Sequence, residues 1–146
     1  MSRHNYRVTI IVVMPGKKGF DIELFFAALA DRTRLRLLNL LSDGEVCTCF
    51  FADTLKTNDP KISRHLAYLK RAGLVAGRRD GKWVHYSLVE PSDPFAREIF
   101  DATLKMLRSD KLMSEDRKRL ASVCCAPQPS STVTQIVRKR NTNWRD

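Results

Sequence analysis

The 146-residue sequence is poor in cysteine and histidine, short of acids relative to bases, and without a long apolar run. Each shortage removes a class of protein. Its four cysteines, grouped as Cys47-Thr48-Cys49 and Cys124-Cys125, lack the dispersed spacing of a secreted disulfide framework and suggest a thiol site instead. No segment approaches the roughly 18 apolar residues a membrane helix needs, so no membrane partner and a cytoplasmic location are expected. Histidine occurs only at His4, His65 and His85, which leaves no ligand set for zinc on a late helix, and the spacing of a structural zinc finger is also missing. There is no Cys-x-x-Cys on a βαβ pattern, no nucleophile placed with a histidine and an acid, and no glycine-rich phosphate loop. An enzyme is therefore not expected, nor an organic cofactor. Arg3 and Arg7 could pass for a charged leader, but Pro15-Gly16-Lys17-Lys18 follows without a small-residue cleavage pattern, so the first 19 residues read as a flexible arm.

The shortage of acids is the most informative. With 26 Lys and Arg against 16 Asp and Glu, the net charge of +10 favours a polyanionic partner. The excess is concentrated: residues 56 to 86 hold eight bases (Lys56, Lys61, Arg64, Lys70, Arg71, Arg78, Arg79, Lys82) and only Asp59 and Asp80 as acids. Hydrophobic residues at 43% and charged residues at 29% are an ordinary balance for a folded domain.

The pattern turns helical at Phe20, where Ile22, Phe25, Phe26 and Leu29 line one stripe of a first helix. Asp31 suits the cap of a second, with Leu35, Leu37, Leu38, Leu40 and Leu41 in the core and Gly44 at its end. A third, short helix is predicted from about Cys47 to Lys56. A fourth runs from Pro60 to Ala72, with Asp59 as cap and Pro60 in the first turn, where its missing N–H costs nothing. Two strands, 74 to 79 and 82 to 88, should then pair about Asp80-Gly81 in a type I′ hairpin turn. Beyond Pro91 and Pro94, a long amphipathic helix from Phe95 to Leu107 carries Ile99, Ala102, Thr103 and Met106 on one face and suits dimerisation. A last helix, 114 to 123, opens at Ser114 and leads to the cysteine pair. The expected division is an arm over 1–19, a DNA-binding domain with dimerisation helices over 20–110, a C-terminal helix with the cysteine pair over 111–126, and a disordered basic tail over 127–146.

Two helices joined by a short turn and followed by a basic hairpin make a winged helix-turn-helix: a mainly α fold with a small β-hairpin, dimeric, its fourth helix entering the major groove of double-stranded DNA. At about 100° per residue, Ile62, Leu66 and Leu69 fall on the buried side of that helix, and Ser63, Arg64, Ala67, Tyr68 and Arg71 face roughly opposite. Arg64 can donate two hydrogen bonds to a guanine edge, while Thr57 and Lys61 suit phosphates. His65 lies on the flank and fits either a DNA contact or a packed core histidine. Arg78, Arg79 and Lys82 surround the hairpin tip, placed to straddle the backbone or reach a minor groove. Val75, Trp83, Val84, Tyr86 and Leu88 fit packing within the wing better than base stacking.

The run Pro60-Lys61-Ile62-Ser63-Arg64-His65-Leu66-Ala67-Tyr68-Leu69, with Gly73-Leu74-Val75, Gly81-Lys82-Trp83-Val84-His85-Tyr86 and Leu29-Ala30-Asp31-Arg32-Thr33-Arg34, resembles the ArsR/SmtB family of dimeric metal-sensing repressors. The likeness covers about Phe20 to Leu107 and is strongest to arsenic-responsive members. In those, the third helix begins Glu-x-Cys-x-Cys, which Glu45-Val46-Cys47-Thr48-Cys49 matches. The resemblance implies a homodimer that binds operator DNA as a repressor and releases it when As(III) or Sb(III) binds as inducer.

Thiolates are soft ligands, and a helix N-terminus lowers a thiol's pKa, so the chemistry agrees. In a regular helix, residues i and i+2 point about 200° apart; both sulfurs could then seize one atom only if the helix start unwinds, which would offer a switch. Some relatives add a cysteine three residues after the second, where this chain has Ala52, leaving a trivalent metalloid one thiolate short. Cys124 or Cys125 completes the site, from the same subunit or the partner, or forms a separate one, or is incidental. Two other readings stay open: a redox-sensing repressor whose cysteines form disulfides, and, further off, a thiol-disulfide enzyme or metal-carrying protein.

Overall fold

A computed structural model describes residues 19–125. The arm expected over 1–19 and the tail expected over 127–146 lie, but for residue 19, outside the described residues, as does the side chain of Cys125. The elements in order are α1 (Ile22–Leu29), α2 (Arg32–Leu41), β1 (Val46–Cys47), a 3₁₀ turn (Thr48–Phe50), α3 (Phe51–Leu55), α4 (Asp59–Arg71), β2 (Val75–Asp80), β3 (Trp83–Leu88), α5 (Pro94–Ser109) and α6 (Lys111–Cys125). Helices dominate, and the three strands form one antiparallel sheet in the order β1-β3-β2.

The helix starts follow local rules. Asp21, Asp31, Asn58 and Asp93 each accept a backbone N–H from three residues on, capping α1, α2, α4 and α5. The cap of α4 is thus Asn58 rather than Asp59, which joins the first turn ahead of Pro60. The last helix begins at Lys111, not Ser114, because the Asp110 carboxylate accepts the Met113 N–H at 3.0 Å.

The core gathers Phe25 and Ala28 of α1, four leucines of α2, Phe50, Phe51 and Leu55, Ile62, Leu66 and Leu69 of α4, and Phe100 of α5. Leu35 is only half-buried, and on α1 the expected stripe is only partly used: Ile22 and Phe26 stay exposed. The residues α1 buries are Phe25 and the small Ala28.

Two predicted elements differ in ways that matter for the site. The helix expected from Cys47 to Lys56 is confined to Phe51–Leu55; Val46 and Cys47 are a strand, paired with Tyr86 and His85 of β3. Here a tertiary ladder overrides local propensity, and Thr48 Oγ1 adds a hydrogen bond to the Val84 carbonyl at 3.1 Å. In the hairpin, Asp80 pairs with Trp83, so Gly81-Lys82 forms the loop. Only Gly81 has positive φ (+59°), which is the pattern of a type II′ turn in place of the expected I′.

Candidate DNA and thiol sites

On α4, Ile62, Leu66 and Leu69 are buried, and Lys61, Ser63, Arg64 and Arg71 are exposed on the other side. Thr57 is half-buried in the turn before α4. Two guanidinium groups lie over the Tyr68 ring, Arg34 at 4.2 Å and Arg71 at 4.8 Å from its centre. His65 sits on the flank, its Nδ1 3.5 Å from Arg34 and 3.6 Å from Asp31. Burial holds its pKa below the ordinary value, and Arg34, Lys61 and Arg64 push the same way against Asp31. His65 is thus a neutral, partly packed side chain at the helix edge.

Arg34 was not singled out in the sequence, yet it binds the two helices. It donates to the Ala28 carbonyl at 3.0 Å and the Ala27 carbonyl at 2.8 Å, satisfying the open end of α1, while stacking on Tyr68 of α4. Its place three residues after the Asp31 cap gave no hint of those partners, because they belong to another element.

In the wing, Arg79 and Lys82 are exposed, and the Lys82 ammonium lies 5.2 Å from the Trp83 ring centre. Arg78 is different. Its Nε and Nη2 donate to both carboxylate oxygens of the buried Glu45, at 3.1 and 2.5 Å.

The sulfurs of Cys47 and Cys49 are 3.0 Å apart, with the Cys49 thiol donating to Cys47. They meet because Cys47 ends a strand and Cys49 lies in a 3₁₀ turn, so no helical first turn has to unwind to bring them together. That donated hydrogen bond lowers the Cys47 pKa to about 7, aided by Thr48 and opposed by burial and by the Glu45 charge. Cys49 moves the opposite way, raised by the same hydrogen bond, by burial and by the charges of Cys47 and Cys124. The pair therefore loses its first proton near neutral pH, about 7, and above that value holds one proton, with Cys47 as thiolate and Cys49 as thiol.

Cys124, near the end of α6, packs against the core close enough for its charge to act on Cys49. That proximity arises within one chain. The helix is held there by the buried Asp116, which takes two hydrogen bonds from Arg36 of α2 (2.6 and 2.8 Å) and one from Arg119 (2.6 Å). Asn39 of α2 adds a bond to the Met113 carbonyl at 2.9 Å. Among the described residues no three His, Cys, Asp or Glu side chains are already gathered as a metal cluster. The preformed unit is a pair of sulfurs, with a third on a separate helix.

A capped helix-turn-helix with one face basic, followed by a short sheet ending in a basic hairpin, defines a winged-helix DNA-binding regulator. Residues 31–76 match the arsR family of bacterial regulatory proteins. The chain is 48% identical over 77 residues to the arsenical resistance operon repressor of Escherichia coli K12, which covers 52% of this chain and 66% of that protein. It is 40% identical over 108 residues to the arsenic resistance transcriptional regulator ArsR1 of Pseudomonas putida, covering 72% of this chain and 81% of that one. The fold is shared with reduced HlyU from Vibrio cholerae, at 22% identity and a TM-score of 0.52 over 73% of this chain and 97% of that one. The chain belongs to the ArsR family and is a transcriptional regulator, not an enzyme. No helix among the described residues is long and apolar enough to cross a membrane.

Proposed function

We propose that this protein is an arsenite- or antimonite-responsive repressor that binds operator DNA as a homodimer and lets go when the trivalent metalloid takes up its cysteine thiolates. The observation that carries this reading is the 3.0 Å approach of the Cys47 and Cys49 sulfurs, one with a depressed pKa, with Cys124 near enough to be felt electrostatically. Arsenite exchanges each hydroxide for a thiolate, and each thiol proton leaves with that hydroxide as water. Soft sulfur donors favour such an ion. Two sulfurs are preset; drawing in Cys124 moves α6 against the 3₁₀ turn, and that motion is the structural change that lowers DNA affinity. The names of the curated relatives support an arsenical inducer. Cys124 is assigned as the third ligand, in cis.

The DNA surface is assigned to Thr57, Lys61, Ser63, Arg64, His65, Tyr68 and Arg71 of the turn and α4, with Arg79 and Lys82 of the wing. Dimerisation is assigned to the exposed apolar residues of α5, Phe95, Ile99 and Met106, whose spacing sets them along one stripe.

The test is an operator titration against arsenite with Cys47→Ser, Cys49→Ser and Cys124→Ser variants. Release by arsenite should be lost in the first two and weakened in the third, with DNA affinity kept in its absence. Unchanged release in Cys47→Ser and Cys49→Ser sinks the assignment. Release by peroxide in place of arsenite would favour the redox reading, which the same short sulfur contact also suits.

A further inference from the structure

The Glu45–Arg78 ion pair connects two places the functional reading treats separately. Glu45 lies two residues before Cys47 and is 6% exposed, while Arg78 is on β2 of the wing and 43% exposed. The sheet order is β1-β3-β2, so this pair skips the intervening strand. In the ladder, Cys47 sits opposite His85, and His85 opposite Arg78, which sets the three residues in one row across the sheet. Side chains of directly opposed residues share a face. His85 in that row is 1% exposed, its Nε2 has no hydrogen-bond partner among the described residues, and both Glu45 and Arg78 act on it electrostatically. The row therefore runs from the buried thiol strand, past the buried His85, to a half-exposed arginine on the hairpin.

A bidentate guanidinium–carboxylate bond is stiff and directional. Strand β1 has only two residues, so its own ladder holds it weakly. Displacement of the Cys47 backbone moves Glu45 with it. Arg78, gripped at two oxygens, moves β2.

We propose that Glu45 and Arg78 are positioning residues for the wing: Arg78 orients the hairpin and does not itself contact DNA, and Glu45 carries the state of the Cys47–Cys49 site to it. The second half rests on the thiol-inducer reading above; the first does not.

Charge and position make opposite forecasts, which allows a clean test. Binding of a fluorescent operator duplex is measured over a range of salt for wild type, Glu45→Gln, Arg78→Lys and Arg78→Gln, with thermal unfolding as a control on folding. If Arg78 were a phosphate contact held back by Glu45, removing the acid would tighten binding, and lysine would replace arginine with little loss. The proposal expects the reverse: each variant weakens binding on the order of tenfold, with the slope of affinity against salt unchanged. Tighter binding by Glu45→Gln, or wild-type affinity in Arg78→Lys, overturns it. So does a salt slope lowered by about one in Arg78→Gln, which removes the charge that a phosphate contact would need. Should Glu45→Gln fail to fold, the two Arg78 variants decide, since Arg78→Lys keeps the charge of a half-exposed side chain.

The coupling is read by adding arsenite. Glu45→Gln should consume thiols with arsenite as wild type does, yet show a smaller ratio between operator affinities without and with arsenite. An undiminished ratio overturns the coupling. Failure of arsenite to release wild type would instead strike the inducer reading, and the metalloid-free comparison would still judge the wing.

Discussion

Arg36 of α2 holds Asp116 of α6 through two hydrogen bonds of 2.6 and 2.8 Å, and Asp116 has no exposed side-chain surface. The contact spans 80 positions of sequence and fixes the helix that bears Cys124. Asp116→Ala leaves the Arg36 and Arg119 guanidinium groups partly buried without their acid, and should cost about 3 kcal/mol of stability by chemical denaturation. Burial works to raise the Asp116 pKa, but the hydrogen bonds from Arg36 and Arg119 prevail and hold it below 3.8. A carboxylate lowered in the folded state contributes stability that is complete above its unfolded pKa and lost as pH falls through the folded one. An acid titration of the wild type should show that loss below about pH 4, and Asp116→Ala should flatten it.

The thiol pair gives a second pH signature. Cys47 ionises at about 7 because Cys49 donates to it, so its thiolate should appear in ultraviolet absorbance as pH rises through that value. Cys49→Ala removes the leading cause, and the transition should move up toward the ordinary thiol range near 8.5. A transition unmoved by the substitution would mean that Thr48 and the backbone, not Cys49, tune Cys47.

On α4, Arg64 and Lys61 should separate by type of contact. Arg64→Ala is expected to cost about 1–3 kcal/mol of operator binding and to relax preference at one base position, as a base-edge contact would. Lys61→Ala should weaken specific and random duplexes alike and reduce the salt slope by about one. Fluorescence anisotropy with an operator and its single-base variants distinguishes the two.

The exposed stripe on α5 leads to a test of assembly. Ile99→Glu with Met106→Glu places two charges at positions 39% and 65% exposed, so the folded monomer has no reason to unfold. Sedimentation should show a dimer in wild type and a monomer in the double variant, with a sharp loss of affinity for a palindromic operator and little for a half-site. A dimer that survives both substitutions moves the interface elsewhere.

Reading along the chain was enough for the winged helix-turn-helix, because its signals are local. Caps, the apolar stripe of α4, a glycine at a hairpin loop and a cluster of bases act within a few residues, and the Asp31 cap and the buried Ile62, Leu66 and Leu69 came out as expected. The Glu-x-Cys-x-Cys motif was equally visible, though not its shape. Whether Cys47 starts a helix or ends a strand depends on β3, nearly 40 residues away, whose backbone takes up its hydrogen bonds. That long-range pairing brought the sulfurs together without unwinding a helix. The same holds for Arg78, which its sequence placed among the cations of the wing and the fold turned toward Glu45. Composition and periodicity thus determined which surface is basic and which residues are apolar. Tertiary packing decided which charges are already taken and which thiols are neighbours, since buried ion pairs and sulfur contacts form between elements whose order in the chain does not encode their distance in space.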